Sequence, residues 1–80
     1  MTIPRELEDI LSSDPDIMGG DICFIGTRIP VVTLLDNVAA GVPMEEFYDD
    51  YPDLSPHQVE SVLWWENSQA KRALGLELVD

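Results

Sequence analysis

Gly20-Asp21-Ile22-Cys23-Phe24-Ile25-Gly26-Thr27-Arg28-Ile29-Pro30-Val31 is the stretch that decides the fold. Ile22 to Ile25 is an apolar run between two glycines, which suits a short buried strand. Gly26 takes a positive φ without steric cost, so it is the natural pivot into a second short strand. Pro30 has no N–H to give a ladder, so pairing ends there and a helix starts at Val31. Before this stretch the chain reads as an arm, and after it as a bundle of helices.

The helices follow from periodicity. Val31, Leu34, Leu35 and Val38 repeat at i, i+3, i+4 and i+7, giving a helix with one buried face that Gly41 stops. Pro43 opens a second helix with Glu45 and Glu46 in its first turn, and Met44, Phe47, Tyr48 and Tyr51 carry its apolar stripe to Pro52. The third has the clearest start. Ser55 is the N-cap, Pro56 the first helical position, and Gln58 closes a capping box. Its stripe runs through Val59, Val62, Leu63, Ala70 and Ala73 to Gly75.

Upstream, Ile3, Leu7, Ile10 and Leu11 form an apolar stripe of one or two marginal helical turns, too short to stand without a dock. That dock is either its own domain or a second protomer. Ser12 to Asp16 is a turn cluster. A calcium loop beginning at Asp14 fails, because its twelfth position is Ile25 where a bidentate carboxylate is needed. The expected organisation is a single mainly α domain: an arm over 1–16, a β-hairpin over 17–30, a three-helix bundle over 31–75 and a tail over 76–80. Helices two and three, joined by Tyr51-Pro52-Asp53-Leu54, permit either a helix-turn-helix or a plain bundle.

Eighty residues with 16 acids against 4 basic residues give a net charge of −12. Six acids and two arginines lie in 1–30, eight acids beside Lys71 and Arg72 in 31–75, and two acids in 76–80. A duplex-binding domain gathers cations on one face, and no segment here is basic. Composition points to a basic protein partner or to acidity for solubility. A chain this small buries only roughly 60% of its unfolded surface, so a partner chain is a natural supplement to its core. The single Cys23 sits in the apolar strand and reads as a buried thiol. The first residues lack the build of a signal peptide and no run reaches membrane-spanning length, so a cytoplasmic protein is expected.

No catalytic constellation, metal set or cofactor motif can be assembled. His57 is the only histidine, the carboxylates are scattered, and Asp49, Asp50 and Asp53 read as a solvated cluster rather than a magnesium site. Four features stand out instead. Arg28 leaves the strand turn and, with five fixed donors in an acidic chain, is expected to pair with an internal carboxylate or a partner. Trp64 and Trp65 point about 100° apart on a helix, so one belongs to the core and the other is an anchor for a partner. Lys71 and Arg72 suit a helix C-terminus and are also the one basic pair able to reach an acidic site or a phosphate. Gln58 could read an adenine edge.

Gly26-Thr27-Arg28-Ile29-Pro30-Val31, with Gly20 six residues before Gly26, Ala40-Gly41, and then Tyr51-Pro52-Asp53-Leu54-Ser55, resembles the family known as domain of unknown function 433. The resemblance spans roughly residues 14–65 and makes Gly20, Gly26, Thr27, Arg28, Ile29, Pro30 and Pro52 its motif positions. It implies a homeodomain-like three-helix fold behind a β-hairpin, a homodimer, and a VapB-type antitoxin that neutralises a PIN-like nuclease and represses its own operon. Family members carry Lys-Pro after the first motif glycine and Arg before the second; this chain has Asp21-Ile22 and Ile25 there, which weakens any contact of that arm with DNA. Two readings stay open. One is an acidic antitoxin whose Arg72 or Arg5 pairs with the nuclease's metal-binding carboxylates. The other is a helix-turn-helix regulator contacting DNA through Gln58, Lys71 and Arg72, with a plain interaction module behind both.

Overall fold

A computed structural model describes residues 3–16 and 18–76. The first two residues of the expected arm, Ile17, and the tail beyond Leu76 lie outside the described residues. The elements are a 3-10 turn at Arg5–Leu7, strands β1 (Leu11–Ser13) and β2 (Ile22–Phe24), and helices α1 (Val31–Ala39), α2 (Met44–Asp50) and α3 (Pro56–Ala73). The fold is mainly α with a short antiparallel hairpin before three helices, as the sequence predicts.

The hairpin itself is drawn differently. β2 pairs with β1 in the register Leu11–Phe24, Ser12–Cys23 and Ser13–Ile22, so the first strand lies upstream, inside the expected arm. The chain does turn at Gly26 (φ 81°) and come back along β2, but it adds only one hydrogen bond, Phe24 N–H to the Ile29 carbonyl at 3.0 Å, and a bridge between Cys23 and Pro30. Pro30 has no N–H to extend that pairing. Thr27 fixes the turn. Its hydroxyl donates to the Phe24 carbonyl at 2.9 Å and accepts from the Ile29 N–H at 3.1 Å. β1 is hidden in the sequence because two of its three residues are exposed serines that look like turn residues.

The segment 3–11 is therefore no detached arm. Leu7, Ile10 and Leu11 are buried in the core, and the Arg5–Leu7 turn packs on α3 of the same chain. On the other side of the hairpin, Asp14 accepts from the Asp16 N–H at 2.9 Å and Ser13 donates to the Gly20 carbonyl at 2.6 Å. The first is an Asx turn within the connection, and the second ties Gly20 back to the end of β1.

α1 buries Leu34 completely and Val31 and Leu35 in part; Val38, expected in the core, is 39% exposed and lies outside the core cluster. Gly41 (φ 80°) ends α1, and the Val42 N–H returns to the Asn37 carbonyl in a Schellman closure. α2 buries Phe47, with the Tyr51 ring 4.8 Å away and Tyr48 edge-on at 6.2 Å. α3 starts with the capping box read from the sequence: the Gln58 N–H donates to Ser55 Oγ at 3.2 Å, and Gln58 Oε1 accepts from the Ser55 N–H at 3.1 Å.

α3 departs from expectation at its far end. Ala70 and Ala73, read as core, are exposed, as is every residue from 70 to 76. The helix buries Val59 and Val62, lays Trp65 on the core and then runs on past it. Eighteen residues span about 27 Å of rise, and the molecule is correspondingly elongated at 41 × 28 × 20 Å.

Gln58 does more than cap. Its Nε2 donates to the Ile25 carbonyl at 3.1 Å, joining the start of α3 to the Gly26 turn. Gln58→Glu keeps the capping acceptor and loses this donor, whereas Gln58→Ala loses both. Urea unfolding should place Gln58→Glu about 1 kcal/mol below wild type and Gln58→Ala about 2 kcal/mol below it. Equal stabilities of the two variants would show that the bond to Ile25 contributes nothing.

Candidate protein-binding surface

The two adjacent tryptophans on α3 divide as their 100° separation requires. Trp65 packs against the core cluster, and its Nε1 is buried with no hydrogen-bond partner among the described residues. Trp64 is 63% exposed. A buried donor without an acceptor is costly, and an exposed indole is rare on so small a surface.

Each tryptophan borders a depression where the Arg5–Leu7 turn crosses α3. On one side a shallow notch of about 360 Å³ is formed by Glu6, His57, Glu60, Ser61 and Trp64. It brings an exposed aromatic ring and two carboxylates into one depression, a combination that suits a guanidinium or ammonium group. Ser61 donates to the His57 carbonyl at 2.7 Å and so is tied to the helix. Close by, burial and, second, the Glu60 carboxylate push the Tyr48 hydroxyl above its ordinary 10.0.

On the other side a groove of about 250 Å³ lies between the 3-10 turn, the hairpin, α1 and α3. Leu7, Leu11, Ile22, Leu35 and Trp65 line it, and Glu66 stands at its edge. Neither depression is legible in the sequence, because both exist only where the first turn docks on α3. Glu6 and Glu60 are 54 positions apart, and nothing local links them.

The residues singled out from the sequence are not gathered into one site. Gly20 and Gly26 hold positive φ, Thr27 locks the turn, Ile29 and Pro30 are half-buried behind β2, and Pro52 is exposed between α2 and α3. Arg28 is exposed and forms no ion pair among the described residues, so the expected internal Arg–carboxylate lock is absent. The Thr27 hydroxyl and Gln58 amide hold the turn in its place. Arg5 is exposed on the first turn. Lys71 and Arg72 are exposed in the last turn of α3, with Lys71 about 9 Å of rise beyond Trp65.

Gln58 is not available to read a base. Its oxygen and nitrogen are both committed, to Ser55 and Ile25, and it is half-buried. The exposed residues beside it on α3 are His57 and Glu60, and the cations come only at the opposite end. Among the described residues no group of three or more His, Cys, Asp or Glu is placed to hold a metal ion, and no helix is long and apolar enough to cross a membrane. Cys23 is 3% exposed under the hairpin, and its thiol lies above the ordinary value through burial first and the Asp21 charge second.

The fold and this surface define a small helical domain with an N-terminal hairpin and an uncovered aromatic face. The chain belongs to the family described as protein of unknown function DUF433, whose pattern matches residues 11–64. An uncharacterized protein of Sinorhizobium fredii (strain NBRC 101917 / NGR234), y4eO, is 37% identical over 51 residues, which cover 64% of this chain and 23% of that protein. The chain thus spans about a quarter of the length of that curated relative. In fold it is similar to a DUF433 member from Anabaena variabilis ATCC 29413, solved at 2.00 Å. The TM-score is 0.65 with 23% identity, over 89% of this chain and 81% of the other.

Two outcomes check the surface. Trp64→Ala should change stability by no more than about 0.5 kcal/mol, and Trp65→Ala should cost about 2–3 kcal/mol, as an exposed and a largely packed side chain require. Acrylamide quenching of single-tryptophan variants should reach Trp64 several-fold more readily. For Cys23, the raised thiol pKa means that the folded state holds its proton longer than the unfolded chain. Stability from this group is complete below the ordinary thiol value of 9.0 and falls as pH rises above it. Denaturation midpoints of Cys23→Ala should lose that part of the alkaline slope.

Proposed function

We propose that this chain is an antitoxin-like protein of the cytoplasm that binds and neutralises a small PIN-like nuclease, with its α3 face as the contact surface. The observation that carries the reading is Trp64, exposed in a notch that Glu6 and Glu60 also line. A nuclease must attract phosphate, so its surface is basic around the active site. A chain of charge −12 gains association rate and complementarity against it. The exposed indole adds the anchor that such interfaces concentrate their energy in. Arg5 and Arg72 are the side chains from which a cation could reach the nuclease's metal-binding carboxylates.

A helix-turn-helix regulator is the competing reading, supported by the α2–turn–α3 succession. The commitment of Gln58 to the cap and the acidic exposed face of α3 weigh against direct DNA contact. Repression of its own operon then calls for cations that a bound partner brings.

Affinity capture of the tagged chain from its native lysate at moderate salt, read by mass spectrometry, tests the proposal. A small PIN-like nuclease recovered in near-stoichiometric amount, and at least about tenfold less of it with Trp64→Ala, is the expected result. Inhibition of that nuclease should weaken with Arg5→Ala or Arg72→Ala. Recovery of the chain alone, or a capture that Trp64→Ala leaves intact, contradicts it.

A further inference from the structure

Two depressions meet at the start of β2. The groove beside Trp65, of about 250 Å³, and a second of about 230 Å³ share Ile22 and Val31 as a common wall. Gly20, Asp21, Pro30 and Val32 complete the second, and Val32 is 53% exposed there. The two make one furrow with largely apolar walls. Each half carries a single acid, Glu66 in the first and Asp21 in the second, and among the described residues neither carries a cation.

The backbone of β2 decides what form of ligand suits it. In an antiparallel pair, successive residues turn their polar groups alternately toward and away from the partner strand. The Ile25 N–H bonds to the Ile10 carbonyl across the hairpin at 2.9 Å, and the Phe24 N–H bonds outward to the Ile29 carbonyl at 3.0 Å. Ile22, two residues before Phe24, therefore turns its N–H and carbonyl outward as well. The chain that would meet them has left: Pro30 has no N–H, and Val31 begins α1. Among the described residues neither group of Ile22 has a hydrogen-bond partner, and the second depression is the gap beside them.

We propose that this furrow binds a short extended segment of a partner protein. The segment pairs with Ile22 as an added strand, sets an apolar side chain into each half, and brings Lys or Arg to Asp21 and Glu66. Each half is smaller than the roughly 300–1,000 Å³ of pockets that enclose a whole ligand, so a chain laid across both suits it better than a free small molecule. This chain supplies no such segment itself. Arg5 lies in the 3-10 turn, Arg28 in the Gly26 turn, and Lys71 and Arg72 in α3. Glu77-Leu78-Val79-Asp80 has the furrow's own sign. The occupant is thus a different protein, apolar at alternate positions with cations alongside. Furrow and Trp64 notch lie on different flanks of the first turn, so this surface does not rest on the nuclease reading.

The test is an NMR titration of the isotope-labelled full chain with blocked heptapeptides, apolar at alternate positions and flanked by Lys and Arg in one set and by Glu in the other. The amides of Asp21, Ile22, Val32 and Glu66 should shift and those of His57, Ser61 and Trp64 should not. The basic set should bind with a Kd below about 1 mM and at least about tenfold more tightly than the acidic set. N-methylation of alternate peptide amides should abolish binding in one phase and spare it in the other. Glu66→Lys should weaken binding at least about tenfold, and Val38→Ser, an exposed site outside the furrow, should leave it unchanged. Circular dichroism confirms that both variants fold. No binding at about 1 mM, equal affinity of the two sets, or indifference to N-methylation in either phase overturns the proposal. Shifts at Asp21 and Ile22 that grow with protein concentration alone overturn it too, by giving the furrow to a second copy. Nuclease capture is no part of this readout, so either reading can fail without the other.

Discussion

Four side chains have essentially no solvent contact: Phe24, Leu34, Phe47 and Val59. One comes from β2, one from α1, one from α2 and one from α3. The interior is thus a single meeting point to which β2 and each of the three helices contribute one residue. Removing any of these four leaves a cavity that three other elements line, and so small a body has little means of closing it. Leu7, Ile10 and Leu11 extend the cluster on one side, which is why the N-terminal segment is part of the core. The connections do the remaining positioning. Thr27 sets the turn after β2, and Gln58 fastens that turn to the start of α3.

A core this compact is reached before α3 is finished. Val59 and Val62 use the first two turns, Trp65 covers the edge, and the last turns leave the body. The overhang carries good helix formers (Ala70, Lys71, Arg72, Ala73) and a Schellman closure, Leu76 N–H to the Lys71 carbonyl at 2.8 Å. Those features keep it helical although its residues from 70 to 76 are exposed. Propensity alone holds a short helix only marginally, so this end of α3 is the least stable part of the helix. The exposed face on which the proposed function rests follows from this shortage of core.

Most of the fold could be read from the sequence because its signals are local. The Ser55–Gln58 box, the proline starts, the glycine ends and the 3.6-residue stripes all lie within one element, and all three helices begin and end within a residue or two of expectation. Errors arose where the deciding partner was distant. β1 has only Leu11 to mark it, and its identity depends on partners in β2 that lie from Ser13–Ile22 to Leu11–Phe24 along the chain, beyond any local pattern. Ala70 and Ala73 keep the period of the stripe, but periodicity does not report where the body stops. Arg28 follows the general rule that arginine seeks carboxylates, yet a threonine hydroxyl had already satisfied the turn. Of the surface, adjacent tryptophans gave away that one was exposed. Which one, and the acids around it, depended on the docking of the first turn.

The proposed function has a bound partner stabilise the second half of α3. Hydrogen exchange of the amides of residues 66–73 tests it most directly. These are compared in the free chain in dilute solution and with a captured partner, with those of 59–62 as the internal standard. Fast exchange over 66–73 is expected in dilute solution, slowing at least about tenfold with the partner while 59–62 stays unchanged. Protection over 66–73 that already equals that of 59–62 in dilute solution would contradict it.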